Sequence, residues 1–443
     1  MPELAIFGGK PVRTELWPGY RTVGEEEKRA LCEVIDSGTL SGYQGSWNSA
    51  FYGGPRVREF EEAWARTFGY EHAVAVNSAC SGLFAAVGAL GLEPGDEVIV
   101  PPYTMSASVM AIVLYGGIPI FADIQDDIFC VDPKSISQRI TSRTRGIMAV
   151  HLFGHPADMD PIMQIARDHS LWVIEDCAQI PGGQYKNRFV GTIGDIGVFS
   201  LNRHKHIQTG EGGIVSTNDG RLAERVQLIR NHAEAVVGDK GVEDLTNMIG
   251  FNYRMTELEA AVALQQLKKL PALLDERIKN AEFIGARLGE LKGITPPVVY
   301  DGAKHTYYMH SFKFDADVIG VHRNTFIAAV KAELPPFELQ EDEGALVYTG
   351  YVKPLYLLPM FQQKIAFGRS HYPFISPYYD GDADYSIGIC PVAERMHFKE
   401  LFSHEYMRPP ATETDLKDFI DAFEKVYEHR HDLAGSAVEA QVS

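Results

Sequence analysis

The residues most able to do chemistry in this chain cluster between Gly194 and Gly213. A short apolar run, Ile196 to Phe199, ends in Ser200 and reads as a buried strand bounded by turn formers. Polar residues follow, with a single lysine, Lys205, between His204 and His206. The glycine turn Gly210-Glu211-Gly212-Gly213 closes the stretch. Residues 213–217 read as the next strand, so Lys205 is expected on a loop held from both sides. A lysine amine is a poor nucleophile near neutral pH, because its ordinary pKa is about 10.4. Burial and neighbouring cations favour the neutral amine, which can close a Schiff base. Taken alone, Arg203-His204-Lys205-His206 reads as a solvated basic loop.

Two further stretches change that reading. The predicted strand 72–76 runs into Asn77-Ser78-Ala79-Cys80-Ser81-Gly82, and an apolar helix is predicted over 83–90. A loop of small residues between strand and helix presents backbone N–H groups at a helix N-terminus, which suits a phosphate. At Glu175-Asp176-Cys177-Ala178-Gln179 two carboxylates close another apolar run; by type alone, either could be a helix cap. The elements that would position these stretches alternate. Strands are predicted over 97–100, 118–121, 146–150 and 171–174, with helices over 106–114, 132–140 and 161–169. Such alternation argues an α/β fold, a parallel sheet covered on both faces. Ligands in such sheets bind beyond the carboxyl ends of the strands. Residues 77–81, 103–105, 175–179 and 200–205 all fall on that edge, and this convergence, more than any one motif, points to a site.

Around this core the pattern is coarser. Residues 1–24 form a Gly- and Pro-rich arm that is not expected to fold alone. Helices are predicted over 25–37, stopped by Gly38, and over 57–68, closed by Gly69. Gly250-Phe251-Asn252-Tyr253-Arg254-Met255 precedes a helix over 258–270 with Thr256 as its cap. Pro271 is expected to break the chain before a second helix over 273–291. Past Gly293 a smaller α+β unit is expected. In it, 307–314 and 390–394 read as strands or loops and 413–429 as a final helix, with 434–443 a frayed tail. Residues 335–385 are rich in tyrosine (Tyr348, Tyr351, Tyr356, Tyr372, Tyr378, Tyr379) and read as core packing or as a substrate-binding loop. The expected division is an arm over 1–24, a large domain over 25–280 and a small one over 281–443.

Composition sets outer limits. A 45% hydrophobic and 23% charged content is that of a globular chain. A formal net charge of −18 argues against nucleic acid and anionic membrane surfaces as partners. Five scattered cysteines without a Cys-x-x-Cys pair give no support to a metal site and suit a reducing compartment. The first residues lack the basic start and apolar core of a signal peptide, and the cytoplasm is expected. The most apolar window, 107–121, is broken by Gly116-Gly117 and Pro119, and reads as helix then strand rather than as a membrane span.

In order and spacing these motifs resemble the DegT/DnrJ/EryC1/StrS family, whose members are fold-type-I pyridoxal-phosphate enzymes, mostly sugar and cyclitol aminotransferases. The family pattern Ser-Phe, four residues, Lys-Asn, then Gly-Glu-Gly-Gly falls on Ser200, Lys205 and residues 210–213, with Leu201 for Phe and His206 for Asn. The acid, Asp176, stands 29 residues before the lysine. The resemblance extends over Gly8-Gly9-Lys10-Pro11-Val12, Gly53-Gly54, the 252–255 segment and Cys390-Pro391-Val392-Ala393-Glu394-Arg395. The first and last of these blocks look most like the branch with cyclitol aminotransferases and 3-amino-5-hydroxybenzoate synthases.

The resemblance implies a large domain with a mostly parallel mixed sheet, a smaller α+β C-terminal domain and pyridoxal 5'-phosphate as cofactor. It implies that Lys205 holds the cofactor and serves as base and acid. Asp176 pairs with the pyridinium nitrogen and keeps the ring an electron acceptor. Gln179 lies by the phenolic oxygen. The phosphate loop aligns on Ala79 and Cys80, where the family's threonine hydroxyl is lost, and Ser200 completes the cofactor set. Met105 falls where an aromatic usually stacks on the ring; a thioether can pack there, and Tyr103 is the alternative. Asn252 is implied to reach the phosphate of a neighbouring subunit in a homodimer. The implied reaction moves an amino group from glutamate or glutamine to a keto-sugar or keto-cyclitol. Dehydration or aromatisation of a cyclic keto acid, and a non-catalytic cofactor-binding regulator, are the rival readings. A nucleotide-linked acceptor would need a cationic pocket; Lys313, Arg323, Arg369 and Arg395 are the candidate cations.

Overall fold

The computed structural model describes residues 3–434. The seven-stranded sheet that organises it comprises β1 (His72–Val76), β2 (Glu97–Val100), β3 (Ile118–Phe121), β4 (Thr144–Val150), β5 (Trp172–Asp176), β8 (Ile196–Ser200) and β9 (Gly213–Thr217). A two-stranded hairpin, β6 (Gln184–Tyr185) and β7 (Arg188–Phe189), hangs from it. The order is β1-β9-β8-β5-β4-β2-β3, with β9 antiparallel to both its neighbours and the remaining pairs parallel. These strands are apolar and buried almost throughout, as a sheet covered on both faces requires.

Helices α1 (Glu25–Ser37) and α2 (Pro55–Phe68) precede the sheet, and α3 (Ala79–Ala89), α4 (Ala107–Leu114), α5 (Pro133–Arg139), α6 (Met159–His169), α7 (Gly220–Arg230) and α8 (Ala233–Lys240) follow their strands. Helix α3 starts four residues earlier than the apolar pattern predicts. Ser78 caps it by accepting from the Ser81 N–H, so the small-residue "loop" is the helix's own first turn. Gly82 lets this helix press onto the sheet; a Cβ there would stand 2.8 Å from Val198.

The expected break at Pro271 is absent. Helix α9 runs unbroken from Glu257 to Leu288. An internal proline costs about 3 kcal/mol, but the apolar face continues through it, with Leu264, Leu267, Leu270 and Leu274 all buried. Each such leucine contributes about 1.5–3 kcal/mol, and Pro271 itself faces solvent, where the freed carbonyl can meet water. The helix leaves the core of the large sheet at Leu274 and enters a second core with Ala281, Ile284 and Leu288.

That second core backs an antiparallel sheet in the order β10 (Ile294–Thr295), β11 (His310–Phe314), β13 (Leu401–His404), β12 (Val347–Thr349). The short helix α10 (Ala316–Ile319) and the longer α11 (Arg323–Glu333) and α14 (Glu413–Glu428) complete it, whereas α12 (Pro359–Gln362) and α13 (Pro391–Arg395) bury Phe361 and Ala393 in the core of the large sheet. Where strand or loop is expected over 390–394, residues 391–395 form a helix with Cys390 as its cap. Its first N–H groups are met by a distant carboxylate, Asp123, which accepts from Val392 (2.9 Å) and Ala393 (3.0 Å). The N-terminal arm docks on this unit. Trp17 is fully buried, with its ring 4.6 Å edge-on to Tyr406, and Arg13 pairs with Asp415 at 2.5 Å. The tail expected to fray lies, from residue 435 on, outside the described residues. Among the described residues no helix is long and apolar enough to cross a membrane.

Candidate active site

Sheet register brings the predicted stretches together. Val76 pairs with Gly213, and Gly213 with Ser200, while Asp176 at the end of β5 pairs with Val198. The start of α3, the glycine turn, the lysine loop and Asp176 thus share one edge of the sheet. The contact is tight: a Cβ on Gly213 would fall 2.6 Å from the Ser78 carbonyl carbon and 2.7 Å from the Ala79 nitrogen.

The lysine loop is cross-braced. Leu201 N–H donates to Gly212 O, Arg203 N–H to Gly210 O and Thr209 N–H to Leu201 O, each at 2.9 Å. Two longer-range ties hold its tip: Tyr20 Oη donates to His206 O at 2.5 Å, and His206 Nε2 lies 2.9 Å from Thr306 O. A carbonyl can only accept, so Nε2 carries the proton. Burial, and next the guanidinium of Arg277, push this imidazole well below its ordinary pKa, so His206 acts as a neutral anchor. Lys205 is 9% exposed, and its Nζ sits 4.2 Å from the centre of the Tyr308 ring.

Asp176 is buried and held by two donors. Ser108 Oγ donates to Oδ2 at 2.7 Å and the Ala178 N–H to Oδ1 at 3.1 Å. Gln179 is also fixed at both ends: its Oε1 accepts from the Phe153 N–H (2.6 Å) and its Nε2 donates to Tyr351 Oη (3.0 Å). Ser200 Oγ accepts from the Asn202 N–H at 3.3 Å. Ala79 and Cys80 open α3, where the first N–H groups have no partner inside the helix. Cys80 stands exposed at the start of α3, and partial burial of its thiol, then the Asp176 carboxylate, push that thiol up.

Met105 and Tyr103 separate cleanly. Met105 is 51% exposed and lines a cavity of about 680 Å³ together with Tyr308 and Tyr351. Tyr103 is fully buried, edge-on to Tyr351 at 5.9 Å, with its hydroxyl facing His397. Asn252 is exposed; its Oδ1 accepts from Arg254 (2.7 Å), and its carbonyl accepts from Asn77 Nδ2 (3.3 Å) beside α3. The tyrosine-rich stretch divides: Tyr348 and Tyr351 line the cavity, whereas Tyr356, Tyr379 and Tyr385 pack against the large sheet. Ser108 and Tyr308 are site residues that no local pattern marks, whereas Tyr351 lies in the tyrosine-rich stretch read as core packing or a substrate-binding loop; each reaches the site from a distant segment.

One other cluster has the chemistry of metal ligands: His151, Glu175 and Cys177, all buried. Glu175 accepts from the N–H groups of Gly191, Ile193 and Gly194 and meets His151 Nε2 at 3.0 Å, while His151 Nδ1 accepts from the Ala157 N–H. These bonds use the histidine and carboxylate for internal bracing of the β5 end.

The sheet order, the second antiparallel sheet and the lysine between β8 and β9 define a fold-type-I aminotransferase. The aminotransferase from Psychrobacter cryohalolentis superposes with a TM-score of 0.78 at 30% identity, covering 95% of this chain and 100% of that one. DesI, solved in the presence of its TDP-sugar product, gives 0.78 at 27% identity over 97% and 98% of the two chains. The L-glutamine:2-deoxy-scyllo-inosose aminotransferase of Micromonospora echinospora is 32% identical over 448 residues, covering 98% of this chain and 100% of its own. A model of the DegT/DnrJ/EryC1/StrS aminotransferase family matches residues 42–374. The chain belongs to that family and is a pyridoxal-phosphate-dependent aminotransferase.

The residues present fit that cofactor. A buried amine, a buried carboxylate oriented by two donors and the start of a helix meet at one sheet edge, and the glycine at 213 keeps the space between lysine loop and helix free of a side chain.

Proposed function

We propose that this enzyme transfers the amino group of glutamine or glutamate to the ring ketone of a sugar or cyclitol. We assign Lys205 and Asp176 as its catalytic pair. The observation that carries the assignment is the shared setting of the two: Asp176 closes β5, and Lys205 lies on the loop after its parallel neighbour β8, both side chains buried at one sheet edge. In this reading the Lys205 Nζ would hold the cofactor and, when free, would move the donor's α-proton as base and then acid. Asp176, oriented by Ser108 and Ala178, faces the ring nitrogen. Bound there, the cofactor supplies an electron sink for the donor's carbanion.

The N–H groups of Ala79 and Cys80, helped by Ser200, would hold the phosphate. Met105 would cover one face of the ring, and Gln179 would serve its phenolic oxygen. We assign Asn252, exposed on the surface of this chain, to the phosphate of a second copy in a homodimer. The cyclitol ketone in one relative's name and the TDP-sugar product of another support a ring ketone as substrate class.

The purified enzyme should show the visible band of lysine-bound cofactor, and glutamine or glutamate should discharge it. Lys205→Ala should lose the band and slow turnover by about 10³-fold or more. Wild-type turnover in Lys205→Ala would sink the assignment, and a band indifferent to every donor would favour a non-catalytic regulator.

A further inference from the structure

Taking that aminotransferase reading as given, we propose that the acceptor is an uncharged, polyhydroxylated ring ketone, a free cyclitol rather than a sugar on a diphosphate. Its hydroxyls are gripped by Glu405 at the small-sheet wall of the cavity. At about 680 Å³ the cavity admits either kind of molecule, so charge decides. Its lining carries two carboxylates, Glu343 and Glu405, against Lys331, the single Lys or Arg among the described lining residues and one exposed at the rim.

Other cations nearby are already engaged. Arg203 pairs with Glu343 at 3.6 Å, and Arg408 pairs with Glu405. The cations that the sequence offers for a diphosphate are placed elsewhere. Lys313 and Arg395 both pair with Asp126, at 2.7 and 2.5 Å. Arg323 spends its guanidinium on the carbonyls of Met396, His397, Phe398 and Leu401, and Arg369 stands exposed away from the cavity lining. With Arg203 and Arg408 each committed to one of these carboxylates, the wall presents a diphosphate with no uncommitted arginine among the described residues, whereas ring hydroxyls can still donate to the carboxylate oxygens.

Glu405 suits that task. It is 9% exposed, is fixed by Arg408 and accepts from Tyr348 Oη at 2.9 Å. A carboxylate has about four acceptor positions, so further hydroxyls can be bound. The rings of Tyr308 and Tyr348 offer apolar surfaces for the C–H faces of a cyclitol, and Tyr308 lies against Lys205, so a ring held there has its ketone at the amine end of the cavity.

The test uses holoenzyme first discharged with glutamine. Its reaction is then followed with a pentahydroxycyclohexanone and with a nucleoside-diphosphate-linked 4-ketohexose. The cyclohexanone should be preferred by about 100-fold in kcat/KM, and a nucleoside diphosphate alone should not compete with it. Glu405→Gln should raise the cyclohexanone KM about tenfold and narrow the preference; Tyr348→Phe should do the same more weakly, and decides the matter should Glu405→Gln not fold. Failure of the donor to discharge the cofactor would overturn the aminotransferase reading. A cofactor that discharges but reacts faster with the nucleotide-linked ketone, or with neither, or micromolar competition by the nucleoside diphosphate, would overturn this proposal.

Discussion

Gly213 is the point at which one added methyl group should disable the site without touching a reacting atom. Its Cβ would lie 2.6 Å from a backbone carbon and 2.7 Å from a backbone nitrogen at the start of α3, where ordinary contact begins at 3.4 Å. Neither neighbour has a rotamer to change, so Gly213→Ala must drive β9 and α3 apart by about 0.8 Å, at about 1–3 kcal/mol of strain. The displacement falls between the loop carrying Lys205 and the N–H groups of Ala79 and Cys80. Misplacement near 1 Å can cost about 100-fold in rate. Titration of the apoenzyme with cofactor, followed by visible absorbance, should show affinity reduced about tenfold or more, and kcat/KM with glutamine should fall about 100-fold. Gly238→Ala is the control: it lies in α8 with nothing within 4 Å of the new Cβ, and should match the wild type in both measurements. Wild-type affinity and rate in Gly213→Ala would refute the view that helix start and lysine loop form one rigid frame.

Other expectations follow from the same contacts. Ser108→Ala removes the donor 2.7 Å from Asp176; a hydrogen bond to a charged group is worth about 1.5–3 kcal/mol, so cofactor affinity should drop about 10- to 100-fold, and unchanged affinity would count against Asp176 as the ring's partner. Trp17→Ala empties a fully buried site against Phe337 and Tyr406 and should cost about 3–5 kcal/mol in urea unfolding; a loss under about 1 kcal/mol would mean the arm does not belong to the second core. Burial holds the His404 imidazole at about 3, below an unfolded value of about 6.5. The unfolded chain therefore binds a proton that the folded chain refuses, so stability is full above pH 6.5 and falls below it by about 1.4 kcal/mol per pH unit from this site. His404→Leu should flatten the profile by about 2 kcal/mol between pH 6.5 and 5, and an unaltered slope would show that His404 does not titrate as its burial requires.

Local pattern sufficed for the α/β alternation, for the sheet edge and for Lys205 on a braced loop between two strands. Apolar period, turn glycines and chain order are properties of neighbouring residues, and they report what neighbouring residues do. Where the pattern misread the chain, a contact outside the apolar period had intervened. Buried leucines on both sides of Pro271 carry α9 through a residue that ends most helices. Asp123 makes a helix of 391–395 from 270 residues away, and the cap by Ser78 moves the start of α3 onto Ala79 and Cys80. The pairings of the supporting site residues were invisible because they are long-range. Ser108 meets Asp176 across 68 residues and Tyr351 meets Gln179 across 172, separations over which no periodicity survives. The sequence by itself determined which residues could hold a cofactor. Only the tertiary structure decided which groups orient them, that Met105 rather than Tyr103 faces the cavity, and that carboxylates line its wall, because those outcomes depend on which segments the closed core forces into contact.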